Sequence, residues 1–99
     1  MAGVVEALFL RHSLRTAAIR IRLLAFASAA ELLGTGERAF ELEADASVAT
    51  LRRALVAAHP DFERWGGRLA VSVEGELAPD SRALADGDEV ALLPPVSGG

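Results

Sequence analysis

The hydrophobic period of this chain switches from two to about 3.6 and back to two, and that order leaves few folds open. Ile19, Ile21 and Leu23 alternate with Arg20 and Arg22, the signature of a strand with one face buried. Continuing that parity puts Leu24 and Phe26 on the arginine side, toward solvent. Ser28-Ala29-Ala30-Glu31 fits a capping box that opens a short helix through Leu33, ended by Gly34 and Gly36. Arg38–Glu43 alternates again around Phe40 and Leu42, giving a second strand. From Ser47, read as an N-cap, Val48, Leu51, Leu55 and Ala58 recur at helical spacing, with Arg52 and Arg53 off the stripe and Pro60 closing the helix. Phe62 and Trp65 fall in a short irregular segment and are read as caps on the core, because large aromatics are usually buried. Leu69–Glu74 is a third strand with Val71 and Val73 inward. Gly75 permits a turn into a brief strand near Leu77. Asp86-Gly87 is a tight-turn signal before the last strand, Glu89–Leu93.

Early and late strands thus flank one main helix, the pattern of a mixed sheet wrapped over a helix, an α+β roll. That is the β-grasp layout, with the first and last strands expected to pair in parallel at its centre. Ninety-nine residues suffice for one such domain without metal or disulfide staples. The expected organisation is an extension over 1–18, a β-grasp domain over 19–93 and an extended tail over 94–99. In the extension, Leu8, Phe9, Leu10 and Leu14 accompany Arg11, His12 and Arg15. A docking helix and a tag-like or upstream-start segment are alternatives there; a poorly ordered extension is the favoured reading.

Composition removes several function classes. A net charge of −4 argues against a protein that tracks nucleic-acid phosphates and suits a basic protein partner. The absence of cysteine removes disulfides, thiolate metal sites and a cysteine nucleophile, so any sulfur this chain handles must be carried at its terminus. The absence of lysine leaves no side-chain amine for isopeptide-linked chains of the protein. No stretch is long enough to span a membrane. The apolar run Val4–Leu10 lacks the flanks of a signal peptide, so the expected compartment is the cytosol. His12 and His59 lack zinc-ligand spacing and read as surface or helix-end histidines. Asp86, Asp88 and Glu89 lack the remaining ligands of a calcium loop and read as a turn. No metal is expected, and the glycines form no phosphate loop.

What remains is the tail, Pro94-Pro95-Val96-Ser97-Gly98-Gly99. The prolines fix φ and stiffen the chain into an extended course. The two glycines form a thread without side chains that can enter a narrow channel at little conformational cost. Strand parity adds a surface. Val90 and Leu92 share one face of the last strand, leaving Ala91 and Leu93 on the other. If the first and last strands are neighbours, Phe26 and Leu93 form an exposed apolar patch beside the tail, which Leu77 can join. Such patches mark interfaces.

The run Asp86-Gly87-Asp88-Glu89-Val90-Ala91-Leu92-Leu93-Pro94-Pro95-Val96-Ser97-Gly98-Gly99 resembles the C-terminus of molybdopterin synthase small subunits, the MoaD/ThiS ubiquitin-like sulfur carriers. Leu24-Ala25-Phe26-Ala27 and Glu31-Leu32-Leu33-Gly34 resemble that family's first strand and helix, so the resemblance spans about Ile19 to Gly99. It departs at Glu74, where the family often has asparagine before Gly75, which leaves the contact at that turn unassigned. The resemblance implies a subunit that is not catalytic alone. A ubiquitin-activating-type adenylyltransferase would adenylate the Gly99 carboxylate with ATP and magnesium, and a persulfide donor would convert it to a thiocarboxylate. The large synthase subunit, in a complex of two copies of each, would receive the tail and pass its sulfur to the cyclic pyranopterin precursor of the molybdenum cofactor. Gly98 and Gly99 would carry the chemistry, Pro94, Pro95, Val96 and Ser97 would present it, and Phe26, Leu77 and Leu93 would contact the partner. No cofactor would be bound by the chain itself. The alternatives are a ubiquitin-like modifier joined through Gly99 to amines of other proteins, a carrier for thiamine synthesis or tRNA thiolation, and an interaction module with an inert tail.

Overall fold

The alternation that begins the domain is realised as β1, Ala18–Ala25, in which Ile19, Ile21, Leu23 and Ala25 are buried and the intervening residues are outward. This computed structural model describes residues 18–96. The expected extension therefore lies outside the described residues except for Ala18, which already belongs to β1. The chain continues through α1 (Ala27–Leu33), β2 (Glu37–Glu43), α2 (Val48–Ala58), a 3-10 segment (Pro60–Arg68), β3 (Ala70–Val73), β4 (Glu76–Leu77) and β5 (Glu89–Leu93). The strands form one sheet in the order β2-β1-β5-β3-β4. β1 and β5 run parallel at its centre, and the other pairings are antiparallel. This is the ubiquitin-like β-grasp expected from the pattern of periods.

Register explains why the core is continuous. Leu23 lies beside Val90, which lies beside Val73; Ala25, Leu92 and Val71 form the next row. All six are buried, and a one-residue slip of any strand would turn its row to solvent. Val48, Leu51 and Leu55 of α2 join the same buried cluster. Ala58, expected on the apolar stripe, is exposed; it is the last helical residue, and the 3-10 segment takes over its covering role. Phe62 and Trp65 of that segment are buried and meet edge-to-face with ring centroids 5.6 Å apart, as expected of residues capping the core.

The two helix starts differ. Ser47 is the N-cap of α2, and its hydroxyl accepts from Thr50 N while Thr50 Oγ1 accepts from Ser47 N, a reciprocal capping box. The capping box expected at Ser28 is absent. α1 begins one residue before Ser28, its N-cap is Phe26, and no side chain caps it. The reason lies in β1: Phe26 is still extended, and its carbonyl accepts from Ala29 N and Ala30 N. That leaves Ser28 inside the first turn, where it cannot act as the cap. At the other end Gly34 takes a left-handed φ of 85° and closes α1 as expected.

Candidate functional site

The parity that buries one face of the sheet exposes the other, and that open face divides into two halves. Toward the N-terminal end of β1 it is ionic. Arg20 pairs with Glu41, and Arg22 donates to Glu37 at 2.7 Å and reaches Glu89 at 3.4 Å. The Glu37 hydrogen bond, then its charge and that of Glu89, raises the Arg22 pKa further and keeps it cationic. These pairs are solvent-exposed, so they organise the surface more than they stabilise the fold.

The other half, from β4 across to β1, carries no charge; Glu37, in register with Leu24, bounds it on the β2 side. Ser72 lies between Leu77 of β4 and Ala91 of β5, and Ala91 lies beside Leu24 of β1. One row further on, Leu93 pairs with Ala70, and Phe26 follows β1 beside it. Phe26 is 50% exposed and Leu77 is 74% exposed. Because β5 is central and parallel to β1, its C-terminal end delivers the tail onto this uncharged half. Phe26, Ala27 and Ser28 form one wall of a groove of about 410 Å³, and Leu93 with Pro94, Pro95 and Val96 forms the other. Pro94 and Pro95 are half-buried, whereas Val96 is 91% exposed, so the chain lifts off the body there. Ser97, Gly98 and Gly99 lie outside the described residues.

The structure therefore brings together Phe26, Leu93, Pro94, Pro95 and Val96. Leu77 shares their face but does not line the groove; it extends the apolar surface sideways across β3 and β5. Ala27 and Ser28 were not anticipated as groove residues. Ala27 has a φ of 51°, a left-handed conformation that costs an L-residue roughly 1–2 kcal/mol. It turns the chain from β1 into α1 sharply enough to leave Phe26 at the lip. A strand ending directly against a helix, with no glycine between, is the only trace of this in the sequence.

The acidic run before β5 is a structural clasp. Arg20 N donates to Asp86 Oδ1 at 2.8 Å, Gly87 N donates to Arg20 O, and Ala85 N donates to Asp88 Oδ2. Gly87 has a φ of 87°. These bonds fasten the turn to β1 and set where β5 begins. Glu74 completes the clasp from the other side: Glu89 N donates to Glu74 Oε1 at 2.7 Å, and Glu74 N donates to Glu89 O at 2.9 Å. Among the described residues no group of three or more His, Asp or Glu side chains is arranged to hold a metal, and no helix is long and apolar enough to cross a membrane.

A model of the ThiS family matches residues 23–99, from the middle of β1 through the tail. The chain belongs to that family. It is 37% identical to a molybdopterin synthase sulfur carrier subunit of Chlamydomonas reinhardtii, over 82% of this chain and 100% of the relative. It is 40% identical to small archaeal modifier protein 1 of Haloferax volcanii, over 75% of this chain and 94% of the relative. The crystal structure of that archaeal protein superposes with a TM-score of 0.70 at 38% identity, covering 81% of this chain and 99% of the other. A complex of subunits 1 and 2 of the molybdopterin-converting factor from Helicobacter pylori contains a similar chain. There the TM-score is 0.54 at 27% identity, with 82% and 100% covered. In each case the match covers about three quarters or more of this chain and nearly all of the relative.

Proposed function

We propose that this chain is the sulfur-carrier small subunit of a molybdopterin synthase, with the Gly99 carboxylate as its functional group. The observation that carries the reading is the tail exit. The central parallel strand ends on the uncharged half of the open face, between Phe26 and Leu93, and two prolines lead the chain off the body. A large subunit seated on Phe26, Leu93 and Leu77 would take up the tail in one orientation. The similarity to a sulfur carrier subunit in Chlamydomonas and to a subunit of the converting factor in Helicobacter supports that partner.

The chemistry follows from the group. A carboxylate resists attack by a sulfur nucleophile because its charge and resonance suppress the electrophilicity of carbon. Attack of a Gly99 oxygen on the α-phosphorus of ATP, with magnesium holding the phosphates, expels pyrophosphate and leaves an acyl-adenylate. A persulfide donor then attacks the acyl carbon as AMP leaves, giving an acyl disulfide; a second thiol cleaves its S–S bond, itself ending in a disulfide with the donor, and the thiocarboxylate so released is a nucleophile toward the pyranopterin precursor. The activating enzyme and the large subunit supply the catalytic groups. This chain supplies the reagent and the surfaces that aim it, in the cytosol and in a complex with two copies of each subunit.

A second reading is favoured by the 40% identity to an archaeal modifier protein: attachment of Gly99 to amines on other proteins. Both readings begin with the same adenylate. Intact-mass spectrometry after incubation with ATP, magnesium, an activating enzyme and a persulfide donor separates them. Replacement of one oxygen by sulfur at Gly99 is the expected product of a carrier. Recovery of Gly99 joined to lysines of other proteins would favour the modifier, and an unchanged mass would sink both.

A further inference from the structure

The described residues leave the uncharged half of the open face without a cover, and the segment before β1 is the part of the chain placed to reach it. Residues 1–17 precede Ala18, so the surroundings of β1 limit where that segment can go. β1 is interior to the sheet. β2 pairs with one of its edges and β5 with the other, so the segment cannot add a strand beside the one it leads into. The inward face of β1 is closed as well, because Ile19, Ile21, Leu23 and Ala25 are buried in the core. What lies within direct reach is the open face, where Phe26 is half exposed.

Two properties of the sequence fit the segment to this face. The first is reach. From Ala18 to Phe26 the strand advances about 26 Å, whereas residues 1–17 in extended form span up to about 56–61 Å. A layer packed on a sheet lies about 10 Å above it, a rise that takes about three residues. A chain returning along β1 from there brings residues 4–10 over the uncharged half, and Arg11 and Arg15 over the rows before it. The second property is charge. Register puts Glu37, Glu41, Glu43 and Glu89 on the open face with Arg20 and Arg22, four carboxylates against two guanidinium groups. Glu43, beside Ala18, has no arginine within 4.0 Å among the described residues. Over residues 1–17 the balance is reversed, with Arg11 and Arg15 against Glu6, and Val4, Val5, Leu8, Phe9 and Leu10 all precede both arginines. A second copy docked by the same face would bring the same excess of carboxylates and is the poorer occupant.

We propose that residues 1–17 fold back along β1 and cover the uncharged half of the open face. Residues 4–10 lie against Leu24, Phe26, Ala91 and Leu93, while Arg11 and Arg15 meet the excess carboxylates, Glu43 among them. The tether makes the contact intramolecular. A short flexible connection supplies an effective concentration of roughly millimolar, so an interaction too weak to hold a free peptide is populated here. The cover is a property of the chain alone and stands whether or not Gly99 carries sulfur. Under the proposed function a large subunit has to displace it before seating on Phe26 and Leu93, so the chain carries a competitor for its own docking face.

The chain contains no cysteine, so Ala7→Cys in the full-length ¹⁵N-labelled protein gives a single attachment point for a nitroxide, whose unpaired electron broadens nearby amide signals. Broadening is expected at Leu24, Phe26, Ala91 and Leu93, with Arg53, Val56 and Glu63 on the α2 side spared. Leu8→Ser with Leu10→Ser, or Arg11→Glu with Arg15→Glu, should each reduce it about twofold or more, through lost apolar burial and lost charge attraction respectively. Arg53→Glu with Arg64→Glu, an equal change of net charge away from this face, should not. Mixing nitroxide-bearing chains that lack ¹⁵N with ¹⁵N-labelled chains that lack the nitroxide should give no broadening. Equally strong broadening in that mixture would make a second copy the cover and overturn the proposal. So would no broadening of the open face, broadening centred on the outer edge of β2, or indifference to both pairs of substitutions in the segment.

Discussion

Two residues with left-handed backbone, Glu74 and Ala27, carry more of the site than their sequence context suggests. Glu74 has a φ of 51°, which asparagine tolerates better than glutamate. The glutamate side chain compensates by accepting from Glu89 N, so it exchanges local ease for a link to β5. Glu74→Ala should therefore lower stability by about 1 kcal/mol, the usual net worth of such a bond, read as a lower urea midpoint at unchanged slope. Ala27 has no such compensation. Ala27→Gly removes the penalty on a left-handed alanine at a smaller cost in unfolded-chain entropy, and should stabilise by about 0.5 kcal/mol. Ala27→Val should destabilise. If the glycine variant melts earlier than the parent, the turn at the groove lip is not strained. Neither position could be singled out by period or composition, because a left-handed φ at a non-glycine residue leaves no pattern.

The elements were legible wherever burial dictates a period. β1, β2, β3 and β5 follow from two-residue alternation, and α2 from Val48, Leu51 and Leu55, all of which reach the core. The start of α1 was not, since Ser28 and Glu31 have capping-box spacing while the geometry inherited from β1 makes Phe26 the cap. Local side-chain chemistry proposes a cap, and the path of the preceding strand decides whether it is used. The two serines therefore give a paired prediction. Ser47→Ala removes a formed capping box and should cost about 1 kcal/mol. Ser28→Ala, inside the first turn of α1, should cost a few tenths at most, and alanine's helix propensity can reverse the sign. Thermal melts of the two variants on one instrument test this, and equal losses would restore Ser28 as a cap.

At the scale of the whole molecule, the proposed function separates holding a partner from reacting with its substrate. Phe26 and Leu93 were legible as a pair because strand parity and the parallel β1–β5 contact together determine the face. The groove they form with Pro94, Pro95 and Val96 depends on how the tail leaves β5, which no period encodes. In the proposed function docking would reside on the uncharged half of the sheet and chemistry at Gly99, joined by a tail of fixed residue count. Phe26→Ala should thus leave the fold nearly unchanged, because the side chain is half exposed. It should weaken binding of the large subunit by about tenfold or more, as expected when an aromatic anchor is truncated. Deleting Gly99, or adding one residue after it, should do the reverse: partner affinity measured by calorimetry stays within about threefold, well under the 1.4 kcal/mol that a tenfold change represents, while sulfur transfer is lost. A carboxylate displaced by one residue moves by roughly 3.3–3.6 Å along an extended chain, further than the tolerance of a positioned reaction. Lengthened or shortened chains that still transfer sulfur at the parent rate would show that the tail adjusts within the partner, and fixed-length presentation would fail.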